Sequence, residues 1–111
     1  TVKLRSYIYL NTFEIKTMIK LTETEIQNAL ISLEGWKMEK DGIVKSFVFE
    51  NFKEAMASMV KIGEVAEEMN HHPEWFNVYN KLDIRLSTHD KGGITQLDID
   101  LAKAIEEIVT S

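Results

Sequence analysis

The chain has 111 residues, 44% of them hydrophobic and 28% charged, which is the composition of one folded globular domain. It contains no cysteine, which excludes a disulfide framework, a thiolate metal site and a cysteine nucleophile, and which fits an intracellular location. The net charge of −5 argues against direct binding to nucleic acid, whose phosphates require a basic surface. No apolar run approaches the ~20 residues of a membrane span.

The segment 1–20 shows neither strand alternation nor a helical stripe, and we leave this N-terminal extension unassigned. A processed or targeting leader, a swapped arm and a flexible arm all stay open. Residues 21–111 are predicted to form a single domain. Its first helix begins at Thr22, which forms a capping-box pattern with Glu25, and is expected to stop at Gly35. Its apolar stripe consists of Ile26, Ala29, Leu30 and Leu33.

A hairpin follows, because Asp41-Gly42 separates two strand-like runs, 36–40 and 43–49, and we expect the glycine to supply the positive φ of the turn. Asn51 caps a second helix that Pro73 ends. Most of its apolar residues form one stripe for core packing, while Val60 and Val65 lie off it and predict a second apolar face for contact between subunits. The stripe consists of Phe52, Ala55, Met56, Met59, Ile62, Gly63, Ala66 and Met69.

A second hairpin is predicted from a strand at 76–79, a turn at Asn80-Lys81 and an alternating strand at 82–88, whose polar face His89 would share if the strand persists. Gly92-Gly93 break the chain, and Thr95 caps a third helix with Asp98 in its first turn. The order α-β-β-α-β-β-α predicts an α+β fold in which three helices pack on one face of a four-stranded antiparallel sheet. The bare face and the edge strands predict an oligomer.

All three histidines, His71, His72 and His89, fall within one short part of the chain, and histidine is the side chain that ordinarily titrates near neutrality. Zinc is disfavoured because adjacent histidines on an extended segment point to opposite sides. No Gly-x-Ser-x-Gly turn or phosphate loop is present. We therefore favour acid–base catalysis without metal or cofactor. Trp75 and Tyr79 offer aromatic surface for a flat heterocycle, although Trp75 could equally anchor the core.

These residues form a recognisable pattern. It consists of an acidic residue, His-His-Pro after three residues, an aromatic residue, a histidine and an aspartate, here supplied by Glu67, His71-His72-Pro73, Tyr79, His89 and Asp98. With the surrounding HHPEWFNVYNK and LSTH, the chain resembles the pterin-4a-carbinolamine dehydratases over about residues 22–109. Members of that family also occur as the dimerisation cofactor of a homeodomain transcription factor.

The resemblance implies a hydro-lyase that removes water across N5 and C4a of 4a-hydroxytetrahydrobiopterin and gives quinonoid dihydrobiopterin for reduction, without a metal or redox cofactor. It implies a tetramer built as a dimer of dimers, in the cytoplasm and, with a transcription-factor partner, in the nucleus. The alternative is a binding module that stabilises a partner's dimerisation helix through the Met-rich second helix. The full histidine set favours retained catalysis.

The resemblance also implies roles for individual residues. His71, His72 and His89 would be the acid–base set. Glu67 would hold His71 or contact the pterin. The remaining implied contacts are Pro73 fixing the His-His geometry, Trp75 lining the pterin ring and Asp98 orienting a neighbouring side chain. Leu97 departs from the polar or basic residue that the family tends to carry before the aspartate, which puts any contact from that position in doubt.

Overall fold

The computed structural model describes residues 19–110, so most of the predicted extension, residues 1–18, and residue 111 lie outside it. The elements are α1 (Glu23–Leu30), β1 (Lys37–Glu39), β2 (Gly42–Val48), α2 (Phe52–Met69), β3 (Glu74–Val78), β4 (Lys81–Leu86), a short 3-10 helix (His89–Lys91) and α3 (Gln96–Thr110). The strands form one antiparallel sheet in the order β1-β2-β4-β3. The predicted α+β architecture is confirmed.

The core lies between the sheet and the helices. Leu82, Ile84 and Leu86 of β4 are buried, and they pair across β2 with the stretch that carries Ile43 and Phe47. Alternate residues of the same strands point to the opposite face, which no helix of the described chain covers. The predicted alternation of β4 is therefore confirmed, and it ends at Leu86, before the predicted position 88.

The first helix begins with the predicted capping box. The Glu25 N–H donates to Thr22 Oγ1 at 3.2 Å, and the Thr22 N–H donates to Glu25 Oε1 at 2.9 Å. Hydrogen bonds to the Glu25 carboxylate, first from the Thr22 backbone N–H and then from the Thr22 side chain, lower the pKa of this carboxyl from its usual 4.5. The helix ends at Leu30, before the predicted stop at Gly35, and Leu33 is buried from the connection that follows.

Both hairpin turns differ from the predicted ones. In the first, Lys40 takes the positive φ of 56°, while Gly42 begins β2 opposite Glu39. In the second, the turn residues are Tyr79 and Asn80, and Tyr79 has a φ of 52°. The side-chain amide of Asn77 stabilises this turn, since it donates to the carbonyls of Tyr79 at 3.1 Å and Lys81 at 2.8 Å.

The second helix has two apolar faces. Ala55, Ile62 and Ala66 are buried, and Met59, Val65 and Met69 pack partly against the core. Phe52, Met56 and Val60, spaced four residues apart, are 46%, 41% and 54% exposed. The core-packing prediction therefore holds for Met59 and Met69 but was wrong for Phe52 and Met56, and Val65 packs against the core. We call Phe52, Met56 and Val60 the α2 apolar stripe.

The third helix carries its predicted stripe. Leu101, Ala102 and Ile105 are buried, and Ile108 and Val109 pack partly against the core. Within residues 19–110, no helix combines the length and the apolar character of a membrane span.

Candidate active site

The three histidines lie where four elements begin or end. Glu74, the first residue of β3, pairs with Arg85 near the end of β4, and α2 ends at Met69 shortly before β3 begins. Beyond β4, a bridge between Thr88 and Gly93 leads the chain into α3. Because β3 and β4 are antiparallel neighbours, these junctions gather at one end of the sheet.

His71 turns inward because α2 ends abruptly. Asn70 adopts the left-handed conformation, with φ of 51°, and the His71 N–H donates back to the Ala66 carbonyl at 3.0 Å. The helix therefore ends before Pro73, the predicted end. The His71 ring is 10% exposed, and its Nε2 lies 2.6 Å from Oδ1 of Asp98, whose side chain is fully buried.

Asp98 is held by further donors. Its second oxygen, Oδ2, accepts from the Thr88 hydroxyl at 2.8 Å and from the Thr95 N–H at 2.9 Å. The hydroxyls of Thr88 and Thr95 lie 2.8 Å apart. An ionised carboxylate only accepts hydrogen bonds, so His71 donates from Nε2 and retains Nδ1 for other contacts. Asp98 lies in the first turn of α3, as predicted, and its contact with His71 fixes the orientation of that ring.

His72 points the other way, as adjacent residues of an extended segment do. Its Nε2 lies 2.8 Å from Oε1 of Glu67, and the two side chains are 57% and 80% exposed. The resemblance implied that Glu67 holds His71 or contacts the pterin. The structure pairs Glu67 with His72 and not with His71, because the abrupt end of α2 buries His71 against α3. A contact between Glu67 and the pterin stays a prediction.

His89 begins the 3-10 helix after β4, so it does not continue the polar face of that strand. Its Nε2 lies 3.1 Å from Oε1 of Glu74, and the side chains are 70% and 48% exposed. Sequence reasoning did not select Glu74. The signal that could have found it is the hairpin register, which places Glu74 at the β4 end that leads to His89.

Each histidine therefore has its own carboxylate, and each uses Nε2 for it. The pairs are His71–Asp98, His72–Glu67 and His89–Glu74. A carboxylate next to an imidazole fixes the orientation of the ring and stabilises the positive charge that it gains on accepting a proton. Hydrogen bonds and chain adjacency also link the pairs, because Asp98 accepts from Thr88, the residue before His89.

The other residues singled out from the sequence lie in different parts of the structure. Pro73 is half-buried between His72 and β3. Trp75 pairs with Ile84 on the helix-covered face of the sheet and packs against the core, which fits the core-anchor reading. Tyr79 lies in the turn at the far end of β3, about 16 Å from Glu74 at ~3.3 Å per residue, so within one chain it does not join the histidines. Leu97 is 3% exposed, in the core.

The bare face of the sheet carries a broad concavity of about 780 Å³ that includes Glu74, Phe76 and Arg85 in its lining but none of the three histidines. Among residues 19–110, no three His, Asp or Glu side chains are grouped as a metal site would require.

The structure is a small α+β fold with three imidazole–carboxylate pairs near one end of its sheet. Residues 19–108 match the family described as Pterin 4 alpha carbinolamine dehydratase. The chain belongs to this family.

Similar proteins cover most of the chain. A protein of Christiangramia forsetii, provisionally named a pterin-4-alpha-carbinolamine dehydratase, is 53% identical over 94 residues, which are 85% of this chain and 97% of that one. A protein of Sulfurisphaera tokodaii with the same name is 47% identical over 93 residues, which are 84% of this chain and 100% of that one. A crystal structure of a transcriptional coactivator/pterin dehydratase from Brucella melitensis superposes with a TM-score of 0.81 at 41% identity, covering 82% of this chain and 99% of that one.

Proposed function

We propose that this protein is a 4a-hydroxytetrahydrobiopterin dehydratase, a hydro-lyase that works by histidine acid–base catalysis. Its substrate is the hydroxylated pterin that aromatic amino acid hydroxylases leave behind, and its product is quinonoid dihydrobiopterin, ready for reduction. The observation that carries the proposal is the set of three imidazole–carboxylate pairs at one end of the sheet, in a chain of this family.

The reaction needs one acid and one base. A base takes the proton from N5, an acid protonates the hydroxyl at C4a, and water leaves as the N5–C4a double bond forms. The protons balance, because the acid gives one proton to the departing hydroxyl and the base takes one from N5. No electrons are exchanged with a cofactor. An imidazole whose Nε2 contacts a carboxylate keeps its Nδ1 for proton transfer, and such a group contributes ~10²–10⁴-fold in rate.

The three pairs differ in burial, and this difference suggests different roles for the three histidines. His71 is enclosed and tied through Asp98 to Thr88 and Thr95, so its position is fixed. His72 and His89 are open to solvent, where a proton can exchange with water after each turnover. In the proposed mechanism, His72 and His89 carry the acid and base roles at the pterin, and His71 supports the ring from the protein side.

The variant His72→Ala tests the proposal. Because the His72 side chain is 57% exposed, we expect the fold to persist while dehydration slows by ~10²–10⁴-fold. The assay is stopped-flow dehydration of chemically prepared 4a-hydroxytetrahydrobiopterin, corrected for the uncatalysed rate. Glu68→Gln, an exposed change on the neighbouring turn of α2, is the matched control. A His72→Ala rate equal to that of the wild type refutes the proposal.

A second candidate function rests on the α2 apolar stripe. Phe52, Met56 and Val60 expose three large apolar side chains at helical spacing, which suits contact with another helix. The Brucella melitensis relative is described as a transcriptional coactivator as well as a dehydratase. A coactivator role would act by stabilising a dimerisation helix of a homeodomain factor. A pull-down with such a helix, set beside the dehydration assay, separates the two functions.

The same stripe supports self-association. A dimer or tetramer would cover these side chains by packing α2 against its copy, and the uncovered edge of β3 offers a further contact. The proposed location follows from the two functions: the cytoplasm for pterin recycling, and the nucleus as well if the coactivator function holds.

A further inference from the structure

Glu74 lies between His89 and Arg85 and contacts both side chains. Its Oε1 contacts His89 Nε2 at 3.1 Å, and its Oε2 lies 3.3 Å from Arg85 Nε. The β3–β4 register places Glu74 directly opposite Arg85, so the contact follows from strand pairing. Each carboxylate oxygen of Glu74 therefore lies within ion-pair distance of a different nitrogen, which favours one orientation of the Glu74 side chain.

Arg85 is itself held in place. Its Nη2 donates to Asp41 Oδ1 at 2.7 Å, and its Nη1 donates to the Glu39 carbonyl at 2.8 Å. The guanidinium therefore lies across the β1–β2 hairpin with one edge left for Glu74. Because the guanidinium is planar and its donors are fixed relative to one another, anchoring one side of it sets the direction of the other.

We propose that Glu74, anchored by Arg85, is a positioning residue that holds the His89 ring with Nε2–H toward β3 and Nδ1 toward the substrate. The inference rests on the proposed function, in which His89 exchanges a proton with the pterin. His89 stands on a short 3-10 helix and is 70% exposed, so little else among its described contacts restrains the ring. Without Glu74 the ring samples other rotamers, and fewer enzyme molecules present Nδ1 correctly.

The expected effect is on turnover and not on substrate binding. A freely rotating His89 still spends part of its time in the productive rotamer, so Glu74→Ala lowers kcat by roughly 3- to 30-fold, less than the ~10²–10⁴-fold of an acid–base group itself. KM stays unchanged. Glu74→Gln retains an oxygen that can accept from Nε2–H, and it loses less activity than Glu74→Ala.

The experiment combines stopped-flow dehydration with NMR of the histidine ring signals, assigned from single histidine variants. The control is Asp83→Asn, which removes a carboxylate from the neighbouring strand on the same face, where it accepts from Ser46 at 2.6 Å and contacts no histidine in the described structure. We expect Glu74→Ala to move the His89 ring signals and to leave those of His72 in place, with kcat lowered. Asp83→Asn changes neither.

Two results overturn the inference: wild-type kcat in Glu74→Ala, or a lowered kcat with unmoved His89 signals, since Glu74 would then act by another route. Failure of the proposed function gives a different result. In that case the wild-type protein does not accelerate dehydration, while the NMR comparison still reports whether Glu74 holds the His89 ring.

Discussion

His71 Nε2 lies 2.6 Å from Asp98 Oδ1, and this contact joins the end of α2 to the first turn of α3 inside the protein. Asp98 is completely buried and accepts from three donors on three segments. A buried charge is tolerated only when it is paired and hydrogen-bonded. This one contact therefore serves both the stability of the domain and the geometry of the candidate site.

Asp98→Ala should lower the free energy of unfolding and also slow the dehydration reaction. The substitution leaves the His71 ring N–H and the Thr95 N–H without an acceptor in a buried place. Removing one partner of a buried pair costs roughly 3–5 kcal/mol in the free energy of unfolding. Urea unfolding followed by circular dichroism measures it. The exposed Asp90, changed to Asn, is the control. Equal midpoints for Asp98→Ala and wild type would contradict the role given to Asp98.

Glu67→Gln should lower activity without changing stability. Glu67 is 80% exposed, and its contact with His72 is screened by water, so its loss changes the free energy of unfolding little. The amide retains an acceptor for the His72 ring but carries no charge to stabilise a protonated imidazole. We expect a smaller loss of kcat than in His72→Ala. A loss as large as that of His72→Ala would mean that Glu67 contacts the pterin itself.

Glu25→Gln should show a pH-dependent effect on stability. The folded pKa of Glu25 lies below its usual 4.5, because the ionised carboxylate accepts from Thr22. The stabilisation is therefore present above the unfolded pKa and is lost as pH falls through the folded one. The wild-type advantage over Glu25→Gln in chemical unfolding should be seen at neutral pH and fade below pH 4.5. An advantage that grows on acidification would contradict the assignment.

Met56→Glu should weaken self-association if the α2 apolar stripe is an interface. A carboxylate in the middle of Phe52, Met56 and Val60 would be costly to bury. Sedimentation velocity should show a smaller species, with the circular dichroism spectrum retained. Ala57→Glu places the same charge on an exposed neighbouring position and should leave the assembly unchanged. An unchanged oligomer in Met56→Glu would assign the stripe to a different partner or to none.

Local sequence patterns predicted the elements well. The Thr22 capping box, the strand alternation around Ile84 and the stripe of α3 are all set by neighbouring residues, and the structure confirms them. These features depend on periodicity and on short-range hydrogen bonds, which a sequence displays directly.

Turn register was not predictable in the same way. Positive φ falls on Lys40 and Tyr79, where no glycine indicates it, and the Asn77 amide stabilises the second turn from outside it. The predicted turn at Asn80-Lys81 shifts the β3–β4 pairing and would not place Glu74 opposite Arg85. The predicted strand also began at 76, which left Glu74 outside the hairpin and its contact with His89 unrecognised.

Sequence reasoning named five of the six side chains that form the imidazole–carboxylate pairs, but not which histidine pairs with which carboxylate. The resemblance named the three histidines, Glu67 and Asp98, while the partner of each ring depends on tertiary packing. Asn70 in the left-handed conformation directs His71 inward to Asp98 and leaves His72 to Glu67. The helical spacing that would place Glu67 beside His71 does not apply beyond this helix end, because the chain changes direction there.

The position of a bound pterin tests the active-site assignment most directly. The deciding measurement is a crystal structure of the protein with oxidised biopterin bound. We predict that one pterin ring lies within contact distance of His72 and His89, with His71 behind it. A pterin seated instead in the concavity on the bare face of the sheet, away from all three histidines, would contradict the assignment of this end of the sheet as the active site.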